Sequence, residues 1–429
     1  MSGRPAFLRA GLGLLFAVAI GAGVVFGAFA AALAGGGQPS ASPSGSLVAV
    51  GSSAPPESPS PAPTPEVTPT PAVTPEPTPE PTPTPEPTPT PKPTPKLVPA
   101  PLTGMPVTEA VAKRHVIAVM VDDHWDARPQ SGFNNASIVW QAPAEGGIPR
   151  YMMLFQDGLS PSVGPVRSAR YYFVGWASEW NSLYVHVGGS PQALDFLHSS
   201  KGRGGVLFDA DEFRWGGSAG YLWRARDRFA PHNVYSDGKH LRQLAKRVGA
   251  KDAPIKPAWT FAPDAAMADR PKGGTIVVPY LYNRIVYRYD RVSNRYLRSV
   301  TDETKQVDRG TGKRVAPKNV VILLMHFGPL NDGSPKHRLE ADFIGTGTAW
   351  IATNGKTVKG TWKKTSLTSP TRLYGPGGKP MTLTAGQTFV QVVPTGTKLS
   401  IKDGKVPPPI PAPRPVGAGD TKSRGQDPL

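Results

Sequence analysis

The chain has 429 residues, including 51 prolines and 47 glycines, so a large part of it is unsuited to a packed hydrophobic core. Its 48 lysines and arginines outnumber 31 acidic residues and give a formal net charge of +17, which favours anionic partners. The chain contains no cysteine, which excludes disulfides, zinc–thiolate sites, cysteine nucleophiles and a lipid-modified cysteine.

The first segment, 1–37, has the pattern of a membrane anchor. Arg4 and Arg9 precede an uncharged apolar stretch, 10–34, which as a helix spans about 37 Å and exceeds a bilayer core of about 30 Å. The arginines on its N-terminal side predict a single-pass protein of the cell membrane whose body is extracytoplasmic. A signal peptide cleaved before Gly35 is the alternative, and it exports the body as well.

The next segment, 38–101, is a linker rich in proline, threonine and glutamate. Proline fixes φ and removes hydrogen-bond donors, so this segment is expected to be a disordered stalk of extended polyproline II. At about 3.1 Å per residue its reach is about 200 Å. A second proline-rich stretch, 404–429, is predicted to be a disordered tail.

Helix and strand patterns alternate in 102–250, which predicts an α/β domain. Aromatic residues four positions apart predict an amphipathic helix over 168–180. Ser190 followed by a proline predicts the N-terminus of a second helix, and Ser236 is the expected N-cap of a third. Strands are predicted at 115–121, 136–141, 151–156 and 183–187.

After a linker at 251–270, the segment 271–403 is predicted to be a mostly β domain. Apolar and polar residues alternate on both sides of a Ser293–Asn294 turn, and Asn354–Gly355 is a strong hairpin signal. The predicted fold class is therefore α+β, with an α/β domain followed by a mostly β domain and preceded by a transmembrane helix and the stalk.

Four arginines mark the candidate site of the α/β domain. Arg128, Arg150, Arg167 and Arg170 fall at strand ends or at a helix start, where free N–H groups and guanidinium groups favour an anion. The alternative is an internal brace in which these arginines pair with Glu145 or Asp122.

A glycine loop and a histidine complete the candidate site. Gly188, Gly189 and Ser190 connect a strand to a helix, where glycine allows close approach of a ligand or makes an ordinary tight turn. His124 and the preceding aspartates end the first strand, where a carboxylate beside an imidazole is able to hold a divalent cation or act as an acid–base pair, with His186 and His232 as candidate partners. A hydrogen-bonded strand end is favoured, and no metal site is assigned.

Several long motifs occur in a fixed order, and they resemble the YerB-like lipoprotein family, domain of unknown function 3048 with its N- and C-terminal domains. The motifs are PLTG at 101–104, AVMVDDHWDARPQSG at 118–132, EGGIPR at 145–150, VGPVRSAR at 163–170, YVHVGGSPQAL at 184–194, APHNVY at 230–235, GTGTAWIATNGKTVKGTWKK at 345–364 and TLTAGQTFVQVVP at 382–394.

The resemblance implies a two-domain extracytoplasmic protein that is often lipid-anchored, without an established activity. The chain departs from the family pattern because it lacks the lipidated cysteine. It also has Asp123 where asparagine is expected, Gln141 where glutamate is expected, and Pro149 where threonine is expected. If an acid at position 141 is essential to catalysis, the amide found there argues against an enzymatic role.

Three functions remain open at this point. The first is a tethered binding module whose arginine cleft holds an anionic envelope polymer or a lipid head group, with no nucleic-acid partner. The second is an envelope phosphotransferase or hydrolase that uses Asp122, His124 or Glu145, with the arginines as electrostatic stabilisers. The third is a non-catalytic scaffold for protein interaction. The sequence assigns neither a cofactor nor an oligomeric state.

Overall fold

The computed structural model describes residues 95–301 and 304–408. The predicted membrane anchor, most of the proline-rich stalk and the tail after 408 lie outside these residues. Within the described ranges, no helix is both long enough and apolar enough to cross a membrane.

Strands dominate the described residues, and the helices are few and short. The helices are α1 Glu109–Ala112, α2 Tyr171–Ala177, α3 Pro191–His198, α4 Glu212–Trp215 and α5 Gly238–Arg247. The strands are β1 Leu97–Pro99, β2 Pro106–Thr108, β3 Ile117–Asp122, β4 Ile138–Pro143, β5 Pro149–Phe155, β6 Leu183–His186, β7 Phe208–Asp211, β8 Trp223–Arg224, β9 Val234–Tyr235, β10 Thr260–Ala262, β11 Lys272–Pro279, β12 Arg284–Asp290, β13 Arg295–Val300, β14 Thr304–Lys305, β15 Asn319–Met325, β16 Phe327–Pro329, β17 Leu339–Ala341, β18 Gly345–Thr353, β19 Lys356–Lys364, β20 Arg372–Tyr374, β21 Thr382–Thr384, β22 Thr388–Pro394 and β23 Ser400–Lys405.

One ten-stranded mixed sheet runs through both predicted domains, in the order β20-β19-β18-β15-β22-β4-β5-β3-β6-β7. The junction is the parallel pair β22 and β4, whose register aligns Gln391 with Gln141. Strands from 102–250 and from 271–403 therefore share one ladder of hydrogen bonds. The linker 251–270 separates two segments of sequence, and it does not separate two hydrophobic cores.

The central strands of the ten-stranded sheet are buried on both faces, and each face has its own apolar cluster. On one face, the ring of Trp140 from β4 stacks on Trp176 of α2 with centroids 4.7 Å apart. On the other face, Phe133 packs edge-on against Tyr151 at 4.9 Å. Both clusters contain side chains from before and after the linker, so neither segment has a core of its own.

A second sheet of five antiparallel strands, β14-β13-β12-β11-β23, covers part of one face. The predicted hairpins are confirmed. Asn294 has φ +52° in the β12–β13 turn, and Asn354 and Gly355 have φ +51° and +75° between β18 and β19. Two consecutive left-handed residues match the right-handed twist of the flanking strands, which is why asparagine–glycine is favoured there.

Three local predictions change in the structure. Asp237 caps α5 by accepting a hydrogen bond from the N–H of His240 at 2.8 Å, whereas Ser236 donates its hydroxyl to the carbonyl of Tyr221. The last residues of the predicted stalk form β1, which pairs with β2. The final strand continues to Lys405, past the predicted start of the tail. Ser190 is confirmed as the N-cap of α3.

Candidate functional site

The candidate site forms where β3 and β6 end and the chain passes between them. The backbone N–H of Arg167 donates to the carbonyl of Met120 in β3 at 2.9 Å, and the N–H of Val187 donates to the carbonyl of Arg167 at 3.1 Å. Asp122 at the end of β3 is in register with Arg150 in β5. Strand ends thus bring together residues that are distant in sequence, as expected for this edge of a sheet.

Glu145 holds two buried arginines and forms an internal brace. Its carboxylate accepts hydrogen bonds from Arg150 at 2.6 Å and from Nε of Arg170 at 2.9 Å. Arg150 also donates to the carbonyl of Ser168 at 2.8 Å. Burial alone would raise the pKa of Glu145, but Arg150 and Arg170 outweigh it and lower that pKa to about 2. Burial and the charge of Arg150 lower the pKa of Arg170 to about 10.

Arg167 is the most exposed of the three arginines at these strand ends, with 26% of its side chain accessible. Its Nε lies 3.1 Å from Oδ2 of Asp122, and the same oxygen lies 2.7 Å from Nδ1 of His232. Burial would raise the pKa of Asp122, but the hydrogen bond with His232 and the charge of Arg167 lower it. Asp122 is therefore a carboxylate that holds a cation on one side and an imidazole on the other.

His124 lies beside His232, with ring centroids 4.7 Å apart and planes at 16°. Its Nδ1 accepts a hydrogen bond from the N–H of Asp126 at 3.3 Å. Burial and the neighbouring His232 lower the pKa of His124, which favours its neutral form. The ring of Trp125 lies 3.7 Å from that of His124, centroid to centroid, and Trp125 is 54% exposed.

The glycine loop lies next to Arg167, but its hydrogen-bonding groups are engaged within the protein. The N–H of Gly188 donates to Asp211 at 3.0 Å, and the N–H of Ser190 donates to the carbonyl of Ala169 at 3.2 Å. Below the loop, both ring nitrogens of His186 face oxygens, the Gly188 carbonyl at 2.8 Å and the Asp209 carboxylate at 2.7 Å.

Burial would lower the pKa of His186, but the hydrogen bond and charge of Asp209 outweigh it and raise that pKa. Both ring nitrogens face acceptor oxygens, so the protonated ring is able to donate to both and tie the loop to β7. His186 is thus separate from the His124–His232 pair.

Arg128 does not join the other three arginines. It donates to the carboxylate of Asp123 at 3.2 Å and to the side chain of Asn283 at 2.6 Å, in the turn between β11 and β12. The reason is the two-residue period of a strand, because Asp122 and Asp123 are consecutive and point to opposite faces. A turn at 125–127 directly precedes Arg128 and brings it to the Asp123 side of the strand. Gly132 lies after this turn.

A buried polar network that the sequence did not indicate surrounds Asp123. Gln141 donates to the Asp123 carboxylate at 2.6 Å and accepts from Arg298 at 2.6 Å. Burial raises the pKa of Asp123, and the charges of Arg128 and Arg298 oppose that effect. The two departures from the family pattern at positions 123 and 141 therefore face each other across one hydrogen bond. The pair still contains one carboxylate and one amide.

The fold and these contacts define a sheet-rich α+β protein with a cluster of arginine, carboxylate and histidine side chains at its strand ends. The family described as "Protein of unknown function (DUF3048) N-terminal domain" matches residues 102–251, and its C-terminal domain matches residues 276–390. The chain belongs to this family, which confirms the resemblance found in the sequence.

Two comparisons support the same assignment. The chain is 33% identical over 315 residues to "Putative lipoprotein YerB" of Bacillus subtilis (strain 168), covering 71% of this chain and 89% of that protein. The crystal structure of YerB protein from Bacillus subtilis is similar with a TM-score of 0.62 and 30% identity, covering 70% of this chain and 98% of that chain.

Proposed function

We propose that this protein binds an anionic ligand, of phosphate or carboxylate chemistry, in the cleft around Arg167. The observation that carries the proposal is the imbalance of charge there. Three guanidinium groups face two carboxylates, those of Glu145 and Asp122, so one positive charge is left unbalanced, and Arg167 is the most exposed of the three arginines. A guanidinium with accessible donors beside ordered backbone suits a phosphate or carboxylate oxygen pair.

The three arginines have different partners and different exposure, and this difference supports the proposal. Arg150 and Arg170 are buried on Glu145 and on backbone carbonyls, so they have little capacity left for a ligand. Arg167 contacts Asp122 through Nε, and its side chain stays 26% exposed. The brace and the binding site are therefore adjacent, and each uses different guanidinium groups.

We infer that the ligand is a component of the cell envelope. The relative's name describes a lipoprotein, and the present chain has no cysteine to carry a lipid. The apolar stretch 10–34 is the proposed anchor in its place, with the body outside the cytoplasm. Cell fractionation tests this part: we expect the intact chain in the membrane fraction, and release into the medium of a product beginning near Gly35 would contradict it.

An enzymatic role is the second candidate, and one contact favours it. His232 is oriented by the Asp122 carboxylate at 2.7 Å, the arrangement of a general base whose tautomer is fixed by an acid. Glu145 does not fit such a role, because a carboxyl with a pKa of about 2 that holds two arginines is a weak base. A hydrolase would therefore use His232, with Arg167 stabilising the developing negative charge.

The test is calorimetric titration of the full chain in detergent with inorganic phosphate, comparing the wild type with Arg167→Ala. We expect the variant to lose at least about tenfold in affinity, the effect of roughly one charge-assisted hydrogen bond. Arg247→Ala is the matched control, because it removes the same charge from an exposed side chain at the end of α5. Equal phosphate affinity in all three proteins would refute the proposal.

Two further arms identify the source of the anion. Vesicles of phosphatidylglycerol mixed with phosphatidylcholine, compared with phosphatidylcholine alone, test a lipid head group, and soluble poly(glycerol phosphate) tests an envelope polymer. In each arm the Arg167→Ala variant distinguishes binding in the cleft from attraction to the whole basic surface. Hydrolysis of a phosphate ester that is abolished by His232→Gln would instead support the enzymatic candidate.

A further inference from the structure

We propose that His124, Asp126 and His232 form a binding site for a divalent transition-metal ion of the zinc class. Within residues 95–301 and 304–408, these three side chains place potential ligand atoms within 4.8 Å of one another. The set contains two imidazoles and one carboxylate, and the chain has no cysteine that would compete for the ion. Such a set suits Zn²⁺, Ni²⁺, Cu²⁺ or Fe²⁺ rather than Mg²⁺ or Ca²⁺.

The orientation of His232 is that of a metal ligand. Its Nδ1 faces the Asp122 carboxylate at 2.7 Å, so Nε2 is the nitrogen left to bind an ion. A histidine ligand usually donates its second N–H to a carboxylate or carbonyl, which fixes the ring and increases its basicity. Asp122 is held in turn by Arg167 and by the backbone N–H of His124, at 3.1 and 3.0 Å.

The other two ligands lie on a single turn of 3-10 helix at 125–127 and its N-cap. The Asp126 side chain is 62% exposed and that of His124 is 20% exposed. Ligands around a zinc ion at about 2.0–2.1 Å lie about 3.3 Å apart, so the potential ligand atoms need to approach one another by at most about 1.5 Å. Both side chains lie outside the strands, on the 3-10 turn and its N-cap.

Three protein ligands leave at least one coordination position open, as in zinc sites that bind an exogenous ligand. Arg167 is linked to His232 through Asp122, which contacts both side chains. The metal proposal stands independently of the proposed anion binding, because the protein ligands are different side chains and the ion itself is the probe.

The experiment titrates the full, tag-free chain in detergent with Zn²⁺ by calorimetry, and with Co²⁺ by visible absorption. We expect one ion per chain, and at least a tenfold loss of affinity in His232→Ala and in His124→Ala. His326→Ala is the matched control, because His326 and Asp342 form an exposed imidazole–carboxylate pair at 3.1 Å without a second histidine. That variant should bind the ion as the wild type does.

Two more variants distinguish loss of Zn²⁺ binding from unfolding, and metal binding from anion binding. Asp126→Asn removes an exposed ligand without disturbing the core, and it should weaken Zn²⁺ binding even if a histidine variant unfolds. Arg167→Ala should retain Zn²⁺ while losing phosphate, whereas Asp126→Asn should retain phosphate in metal-free buffer. Zn²⁺ affinity that is the same in wild type, His232→Ala and Asp126→Asn would overturn the metal site.

Discussion

Replacing Glu145 by glutamine is expected to destabilise the protein by about 3 kcal/mol at neutral pH. Its pKa falls from 4.5 to about 2 on folding, because Arg150 and Arg170 favour the carboxylate, and that difference corresponds to about 3 kcal/mol. The side chain is 23% exposed, so the interaction is only partly screened by solvent. Loss of one partner from a buried ion pair typically costs 3–5 kcal/mol, which agrees with this value.

The pH dependence has a defined sign. The folded-state pKa is lower than the unfolded one, so this stabilisation is complete above about pH 4.5 and disappears as the pH falls towards 2. The free energy of unfolding, measured with urea for wild type and Glu145→Gln, should therefore converge in acid. Glu109→Gln is the control. The ion pair of Glu109 with Lys113 is exposed, so its loss should leave the melting temperature unchanged. If the free energies of unfolding of wild type and Glu145→Gln differ by less than about 1 kcal/mol at pH 7, or by an amount independent of pH, the brace is refuted.

Three other predictions test buried charges by urea denaturation. The double variant Asp123→Asn with Gln141→Glu should be more stable than the summed effects of the two single variants on the free energy of unfolding predict, by at least about 1 kcal/mol. The reason is that the carboxylate moves from one side of their hydrogen bond to the other. Additive effects of the two substitutions would contradict this. Lys364→Met should cost about 3–5 kcal/mol, because it leaves the buried Glu179 carboxylate without its cation; a neutral effect would show that Thr371 suffices. His186→Gln should cost stability below pH 6.5 and progressively less as the pH rises through the raised pKa of His186; an effect that grows with pH would exclude an imidazolium.

The local structure was predictable wherever a short pattern has one physical meaning. Asn354–Gly355 predicts its hairpin because both residues tolerate positive φ, and Ser190 before a proline predicts a helix N-terminus. The cap of α5 was placed one residue early because Ser236 and Asp237 are both good caps. The hydroxyl of Ser236 donates a hydrogen bond to the carbonyl of Tyr221 instead of capping the helix, and only the tertiary structure reveals this contact.

The shared ten-stranded sheet could not be predicted in this way. The parallel pairing of β22 with β4 joins positions more than 200 residues apart, and both strands are apolar runs that suit any buried sheet. Composition also changes between 102–250 and 271–403, which suggests two cores where the structure has shared ones. Periodicity identifies a strand, but it does not identify the partner of that strand.

The candidate site was partly predictable, because ligands collect where strands end and Arg167, Asp122 and Glu145 all lie there. Arg128 was misplaced, although alternation along β3 carried the information that Asp122 and Asp123 face opposite sides. His232 was named only as a candidate partner of Asp122 and His124. Its motif was visible in the sequence, but its contact with Asp122 spans 110 residues and has no local signature.

The Glu145 brace and Arg167 are connected through the backbone, and the same Glu145→Gln variant tests this connection. Arg150 links Glu145 to the carbonyl of Ser168, the residue after Arg167, so the brace fixes the segment that presents Arg167. Removing a negative charge from the cleft would raise phosphate affinity if only the electrostatic field mattered. If the brace positions Arg167, affinity falls although the cleft becomes more positive. The sign of the change in phosphate affinity therefore separates positioning from charge, and we expect it to fall.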